Sequence, residues 1–103
     1  MLDDIKKVAG INHSDFDFMI QKYIESAKLD LEMVGIAKSN ITESDELIYS
    51  AIMSYAMSFL DVDNNELYGN AYALQKDALR HYPKYTIEKS RWLVCNILKY
   101  YTW

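Results

Sequence analysis

The sequence predicts an all-α fold: a small orthogonal helical bundle of four to five helices around a central apolar helix at about residues 47–60. Two observations carry this. Leu47 to Leu60 holds no charged side chain in a chain of which 25% is charged, and its only polar residues besides tyrosine are Ser50, Ser54 and Ser58. Spaced four apart, the serines form one narrow strip on an otherwise apolar cylinder, and a helix apolar nearly all round is a buried one. The second observation is compositional. Three glycines and one proline in 103 residues leave few turn residues for a many-stranded sandwich, and a chain that is 50% apolar is not a disordered one.

A membrane span is the competing reading of the apolar stretch. Crossing a bilayer takes about 20 apolar residues, whereas this stretch is closed by Asp45 and Glu46 before it and Asp61 and Asp63 after it. The length suits one domain near the small end of independent stability, which oligomerisation would help. A single cysteine, Cys95, excludes an internal disulfide framework and suits a reducing compartment. Met1 to Lys7 lacks the apolar segment of a signal peptide, so synthesis in a cytoplasm, with no membrane partner, is expected.

In chain order, Leu2 to Ala9 reads as a short helix. Asp3 and Asp4 stand at its positive end, Lys6 and Lys7 near its negative end, and Gly10 is placed to stop it. Leu2, Ile5 and either Val8 or Ala9 form the face it can bury. Ser14 with Asp17 then makes a capping-box-like start for a long helix from Asp15 to about Val34, ended by Gly35. At about 100° per residue, Phe16, Ile20, Tyr23, Ile24, Ala27, Leu31 and Val34 share its core face. Phe18, Leu29 and Met33 fall roughly opposite, on a second stripe interrupted by Lys22 and Glu25. A monomer has little use for that stripe, which makes these three residues candidates for a subunit interface.

Ile36 to Glu43 reads as a polar connection, with Thr42 or Ser44 as cap of the central helix. In Asp61-Val62-Asp63-Asn64-Asn65, the alternating acids suggest a calcium loop. The spacing rejects it, because Glu66 stands where the loop needs glycine and Tyr72 where it needs an acid. A turn whose Asn64 caps the next helix is the better reading. That helix runs from Asn65 to Tyr82, with Leu67, Tyr68, Ala71, Leu74, Ala78, Leu79 and Tyr82 toward the core, Gln75, Lys76 and Asp77 elsewhere, and Pro83 as its stop. From Thr86 to Trp103, Ile87, Val94, Leu98 and Tyr101 suit a final helix, whereas Trp92-Leu93-Val94-Cys95 also suits a strand or an extended arm.

No catalytic, cofactor-binding or metal-binding constellation is visible. His13 and His81 have no partner at metal-ligand spacing, Gly10, Gly35 and Gly69 stand alone, and one thiol with two imidazoles makes no motif. A non-enzyme is expected. The charge is divided: residues 1–79 carry six basic and fourteen acidic groups, residues 80–103 five basic and one acidic. The basic, aromatic tail has residue types that grip phosphates and stack bases, but overall acidity and the lack of a basic recognition helix argue against sequence-specific DNA reading. A tail of opposite charge to its body suits an acidic partner, such as a neighbouring copy. Lys89, Arg91, Trp92, Tyr100, Tyr101 and Trp103 are therefore candidates for partner docking.

Four segments taken together resemble a known family: Leu2-Asp3-Asp4-Ile5-Lys6-Lys7, Asp15 to Ile20 leading into Tyr23 to Leu31, Asp45-Glu46-Leu47-Ile48, and Tyr72 to Leu79. Their order and spacing over residues 1–85 are similar to the small all-helical head-tail connector proteins of tailed bacteriophages, also called adaptor or head-completion proteins. The resemblance implies a structural virion protein made in the host cytoplasm. It implies a ring, commonly of about twelve copies, under the portal protein. The ring would extend the DNA channel, pass DNA without reading it, and receive the next head-completion or tail protein. On this reading residues 1–85 are the connector domain and residues 86–103 an aromatic and basic extension, helical or an interface arm. The rival reading is a small helical bacterial regulatory or protein-interaction module acting as a monomer or dimer.

Overall fold

The computed structural model describes residues 1–86. They form α1 (Leu2–Ala9), α2 (Asp17–Met33), α3 (Glu46–Leu60) and α4 (Asn65–Arg80), with 3-10 turns at Lys38–Asn40 and Val62–Asn64. Residues 83–86 are helical again, and no strand occurs among the described residues. The result is the small all-α bundle the sequence predicts, with α1, α2 and α4 all packed on α3.

Ile48, Ala51, Ile52 and Ala56 of α3 have no exposed surface, and Ser54 and Met57 are buried with them. Only positions toward its ends and edge, such as Leu47, Ser50 and Phe59, reach solvent. The helix is capped by Asp45, not by Thr42 or Ser44. Extended backbone at Asp45 sets its carboxylate over the first turn, where Oδ1 accepts the N–H groups of Leu47 (2.9 Å) and Ile48 (3.2 Å). A carboxylate there also meets the positive end of the helix dipole. The Thr42 and Ser44 hydroxyls bond each other instead, 3.1 Å apart.

α1 buries Ile5 and partly buries Leu2 and Ala9, while Val8 is exposed, so Ala9 completes its inner face. Gly10 ends it at φ 75°, a left-handed conformation that glycine adopts without a Cβ penalty. The Tyr49 hydroxyl donates to Asp4, joining α3 to α1, and Lys6 Nζ lies 2.8 Å from Asp17 Oδ1 at the start of α2.

α2 begins two residues later than the capping box predicts. The Ser14 carbonyl, not its hydroxyl, holds the preceding turn by accepting the Asp17 N–H at 3.2 Å. Phe16 therefore stands outside the helix, exposed and against the His13 ring, and does not join the core. Ile20, Ile24, Ala27 and Leu31 do. The following connection is also less polar than predicted, because Ile36 and Ala37 are buried beneath it. The Ala37 N–H donates to the Tyr85 carbonyl at 3.0 Å, and Asn40 Nδ2 donates to the same oxygen at 2.7 Å.

The larger correction concerns α4. Its inner face is Tyr68, Tyr72, Gln75 and Leu79, whereas Leu67, Leu74, Ala78 and Tyr82, expected in the core, are exposed. The rotation follows from polar partners that only the folded chain supplies. Gln75 Nε2 donates to Ser50 Oγ (2.9 Å), and Asp30 Oδ2 accepts from both the Tyr72 hydroxyl (2.5 Å) and Lys76 Nζ (3.1 Å), tying α4 to α3 and α2. Aromatic contacts reinforce the junction: Tyr23 stacks on Phe59 at 4.8 Å, and Tyr55 meets Phe59 at 5.2 Å and the Tyr72 ring edge-on at 5.1 Å. The cap also differs. Asp61, not the Asn64 side chain, organises the turn before α4, accepting the Asn64 N–H (3.2 Å) and Nδ2 (3.1 Å). At the other end α4 stops at Arg80, and Pro83 opens the next helical turn.

Burial and neighbouring carboxylates raise the pKa of three tyrosines. The hydrogen bond to Asp4, helped by burial, pushes Tyr49 up to about 12. Burial and then the bond to Asp30 raise Tyr72 well above the usual phenol range, and burial followed by Asp45 raises Tyr85. A folded-state pKa above the unfolded value of about 10 gives stability that is complete below pH 10 and is lost as pH rises through the folded values. Stability contributed by these groups should thus be flat from pH 8 to about 10 and then fall, with Tyr72→Phe blunting the fall while lowering stability at pH 8. Urea unfolding across pH 8–12 checks this, and an unchanged midpoint through pH 12 would contradict it.

Candidate functional site

The core uses one side of each outer helix and leaves apolar side chains on the other. On α2, residues 18, 22, 25, 29 and 33 share the face opposite Ile20, Ile24, Ala27 and Leu31. Phe18, Leu29 and Met33 are 75%, 61% and 83% exposed there, so the stripe read from the sequence stands free of the core. Lys22 and Glu25 divide it, as expected. Lys22 Nζ bonds Glu25 at 3.3 Å and lies 5.3 Å from the Phe18 ring centroid.

Beside Leu29 the surface is concave. A groove of about 390 Å³ is lined by Glu25, Lys28, Leu29 and Glu32 of α2 and by Lys38 and Ile41 of the connection that follows. Lys28 reaches Glu43 at 3.9 Å. Leu29 and Ile41 supply its apolar surface, and the four other lining residues are charged.

A second face was missed by sequence reasoning. On α4, Leu67 and Leu74 are 65% and 74% exposed, and Tyr82 continues the line beyond the helix. The signal that could have found it is a competition between two helical stripes. One, through residues 67, 71, 74 and 78, is wholly aliphatic; the other, through residues 68, 72, 75 and 79, holds two phenols and an amide. Greater apolarity pointed to the first as core, but the second has partners waiting in Asp30 and Ser50. The proposed docking residues Lys89, Arg91, Trp92, Tyr100, Tyr101 and Trp103 lie outside the described residues.

Asp61 and His81 serve local structure. Asp61 caps a turn, and His81 Nδ1 lies 2.8 Å from the Asp77 carbonyl oxygen of its own helix end. Among the described residues, no group of three or more His, Cys, Asp or Glu side chains could hold a metal ion, and no helix is long and apolar enough to cross a membrane.

These features define a small all-α protein that leaves apolar stripes on the outer sides of α2 and α4 exposed. The chain belongs to the phage connector protein family, whose family model matches residues 1–85. Its role is accordingly a structural one of the phage connector type. Comparison with curated proteins and with solved structures gave no significant match.

Proposed function

We propose that this chain is a head-tail connector that forms a ring beneath the portal protein. The ring extends the DNA channel and joins the capsid to the next head-completion or tail protein. It resides in the virion at the head-tail interface after synthesis in the bacterial cytoplasm. Family membership supports this reading. The observation that carries it is the exposure of Phe18, Leu29 and Met33 on a helix whose opposite side already fills the core. Exposed apolar side chains grouped on one face mark contact surfaces. A ring of about twelve copies, the number the resemblance implies, requires each subunit to offer two contacts. The acid-rich body suits a channel in which DNA slides, since cationic contacts are what hold phosphates. Beyond Thr86, Lys89, Arg91, Trp92, Tyr100, Tyr101 and Trp103 dock on a neighbouring subunit or adjoining virion protein.

The test is a double replacement, Phe18→Ser with Met33→Ser. Self-association or portal docking should weaken at least about tenfold, equivalent to about 1.4 kcal/mol. The thermal midpoint of the monomer should shift little, because neither residue is buried. Unfolding of the variant, or assembly at wild-type affinity, would show that this face is not the contact.

A further inference from the structure

The described residues end beside the groove on α2. We infer that this groove seats the chain's own segment 87–103 in the free subunit, with the Trp92 side chain set against Leu29 and Ile41. The Tyr85 carbonyl accepts the Ala37 N–H at 3.0 Å and Asn40 Nδ2 at 2.7 Å, and the Tyr85 hydroxyl is held by Asp45 at 3.1 Å. Lys38 and Ile41, which line the groove, belong to the same turn as Ala37 and Asn40. Adjacent Cα atoms stand about 3.8 Å apart, so the chain passes Tyr85 within a few residue spacings of the groove wall. From Thr86, the six residues to Trp92 span at most about 20 Å. The α2 lining from Glu25 to Glu32 is about 10 Å long, so Trp92 reaches it with Tyr85 still in place.

The groove selects an apolar occupant. Its lining charges cancel, Glu25 and Glu32 against Lys28 and Lys38, and Lys22 and Glu43 outside it pair with Glu25 and Lys28. No net field draws a charged partner there, whereas Leu29 is 61% exposed on its surface. Segment 87–103 has the matching chemistry: ten of its 17 residues are apolar, two of them tryptophan. Apolar side chains at that density are seldom left in water. Seated there, the Trp92 indole covers Leu29 and Ile41 and offers its face to the Lys38 ammonium. Arg91 beside it meets Glu32, which like Lys38 forms no ion pair among the described residues.

Tethering decides between this chain and another copy. Five residues join Thr86 to Trp92, and a short linker holds its end near its own site at an effective concentration of roughly millimolar. In dilute solution the chain's own groove therefore wins. The contact belongs to the free subunit and stands whether or not rings form. Docking of the same segment on a neighbour, as proposed above, requires that it first be released.

Trp92 and Trp103 are the only tryptophans and both lie in the segment, so tryptophan fluorescence reports on it alone. The test uses the full-length Trp103→Phe variant, diluted until sedimentation velocity shows a monomer. The emission of Trp92 should be blue-shifted, resist acrylamide quenching and stay unchanged on further dilution. Adding Leu29→Glu should shift it to the red and restore quenching while far-ultraviolet circular dichroism stays native. Should the glutamate disturb the fold, Leu29→Gln replaces it, and unfolding of that variant too would show Leu29 to be core and overturn the inference. A water-exposed indole in the parent would overturn it as well. So would a buried indole that Leu29→Glu leaves buried, which would place Trp92 elsewhere in the domain. A blue shift that fades on dilution would assign the groove to the segment of a second copy and overturn docking within the chain. Each of these outcomes leaves the ring reading to be tested separately by particle mass.

Discussion

Replacing Ile52 with Ala is expected to destabilise the protein by about 2–5 kcal/mol, enough to take a large share of the stability of a small domain. Ile52 sits mid-way along α3 with no exposed surface, and α2 and α4 pack against this helix. Removing three carbons there loses their transfer free energy and leaves a void that three packed helices cannot close without moving. Leu74→Ala, on a side chain 74% exposed, should change stability by no more than about 0.5 kcal/mol. Urea unfolding of the two variants side by side makes the comparison. Equal effects would remove α3 from the centre of the fold.

The second large effect is expected at Tyr85, where Tyr85→Ala should cost about 3–5 kcal/mol. Its ring is buried, its hydroxyl donates to Asp45 Oδ1 at 3.1 Å, and its carbonyl is held by Ala37 and Asn40. Asp45 is also the cap of α3, so one carboxylate oxygen binds both the start of the central helix and the last residue that the family model matches. Tyr85→Phe keeps the packing and should cost about 1 kcal/mol, the usual worth of one hydrogen bond. The same anchor determines where the tail can be removed. A chain ending after Thr86 should fold and, if residues 87–103 are the docking arm, fail to enter rings. One ending after Lys84 should lose the anchor and much of its stability. Thermal unfolding of both truncations decides it: equal midpoints would show that Tyr85 holds nothing, and a chain unfolded after Thr86 would place the tail in the core.

What could be read from the sequence follows the range over which each interaction acts. α1 was legible to its boundaries, because its charges, its apolar face and Gly10 are all local signals. α3 was legible from its lack of charge, and the outer stripe of α2 from simple periodicity. The caps were not. Thr42, Ser44 and Asp45 are all competent capping residues for α3, and the extended backbone at Asp45 sets its carboxylate over the first turn. Nor was the inner face of α4, because Tyr72, Gln75 and Lys76 look like surface residues until Asp30 and Ser50, far away in sequence, come within reach. Ile36 and Ala37 fall in the same class: a short apolar pair in a polar connection is buried because Tyr85 returns to cover it. The same errors concealed part of the candidate site, since the aliphatic stripe of α4 was assigned to a core it does not enter.

The most direct measurement on the central claim is the mass and symmetry of the wild-type particle in the presence of portal, by light scattering coupled to size exclusion and by electron microscopy. The expected result is a closed ring of identical subunits in head-to-tail contact, seated on the portal with an open central channel. A monomer bound to nothing, or a two-fold dimer that ignores the portal, would contradict it.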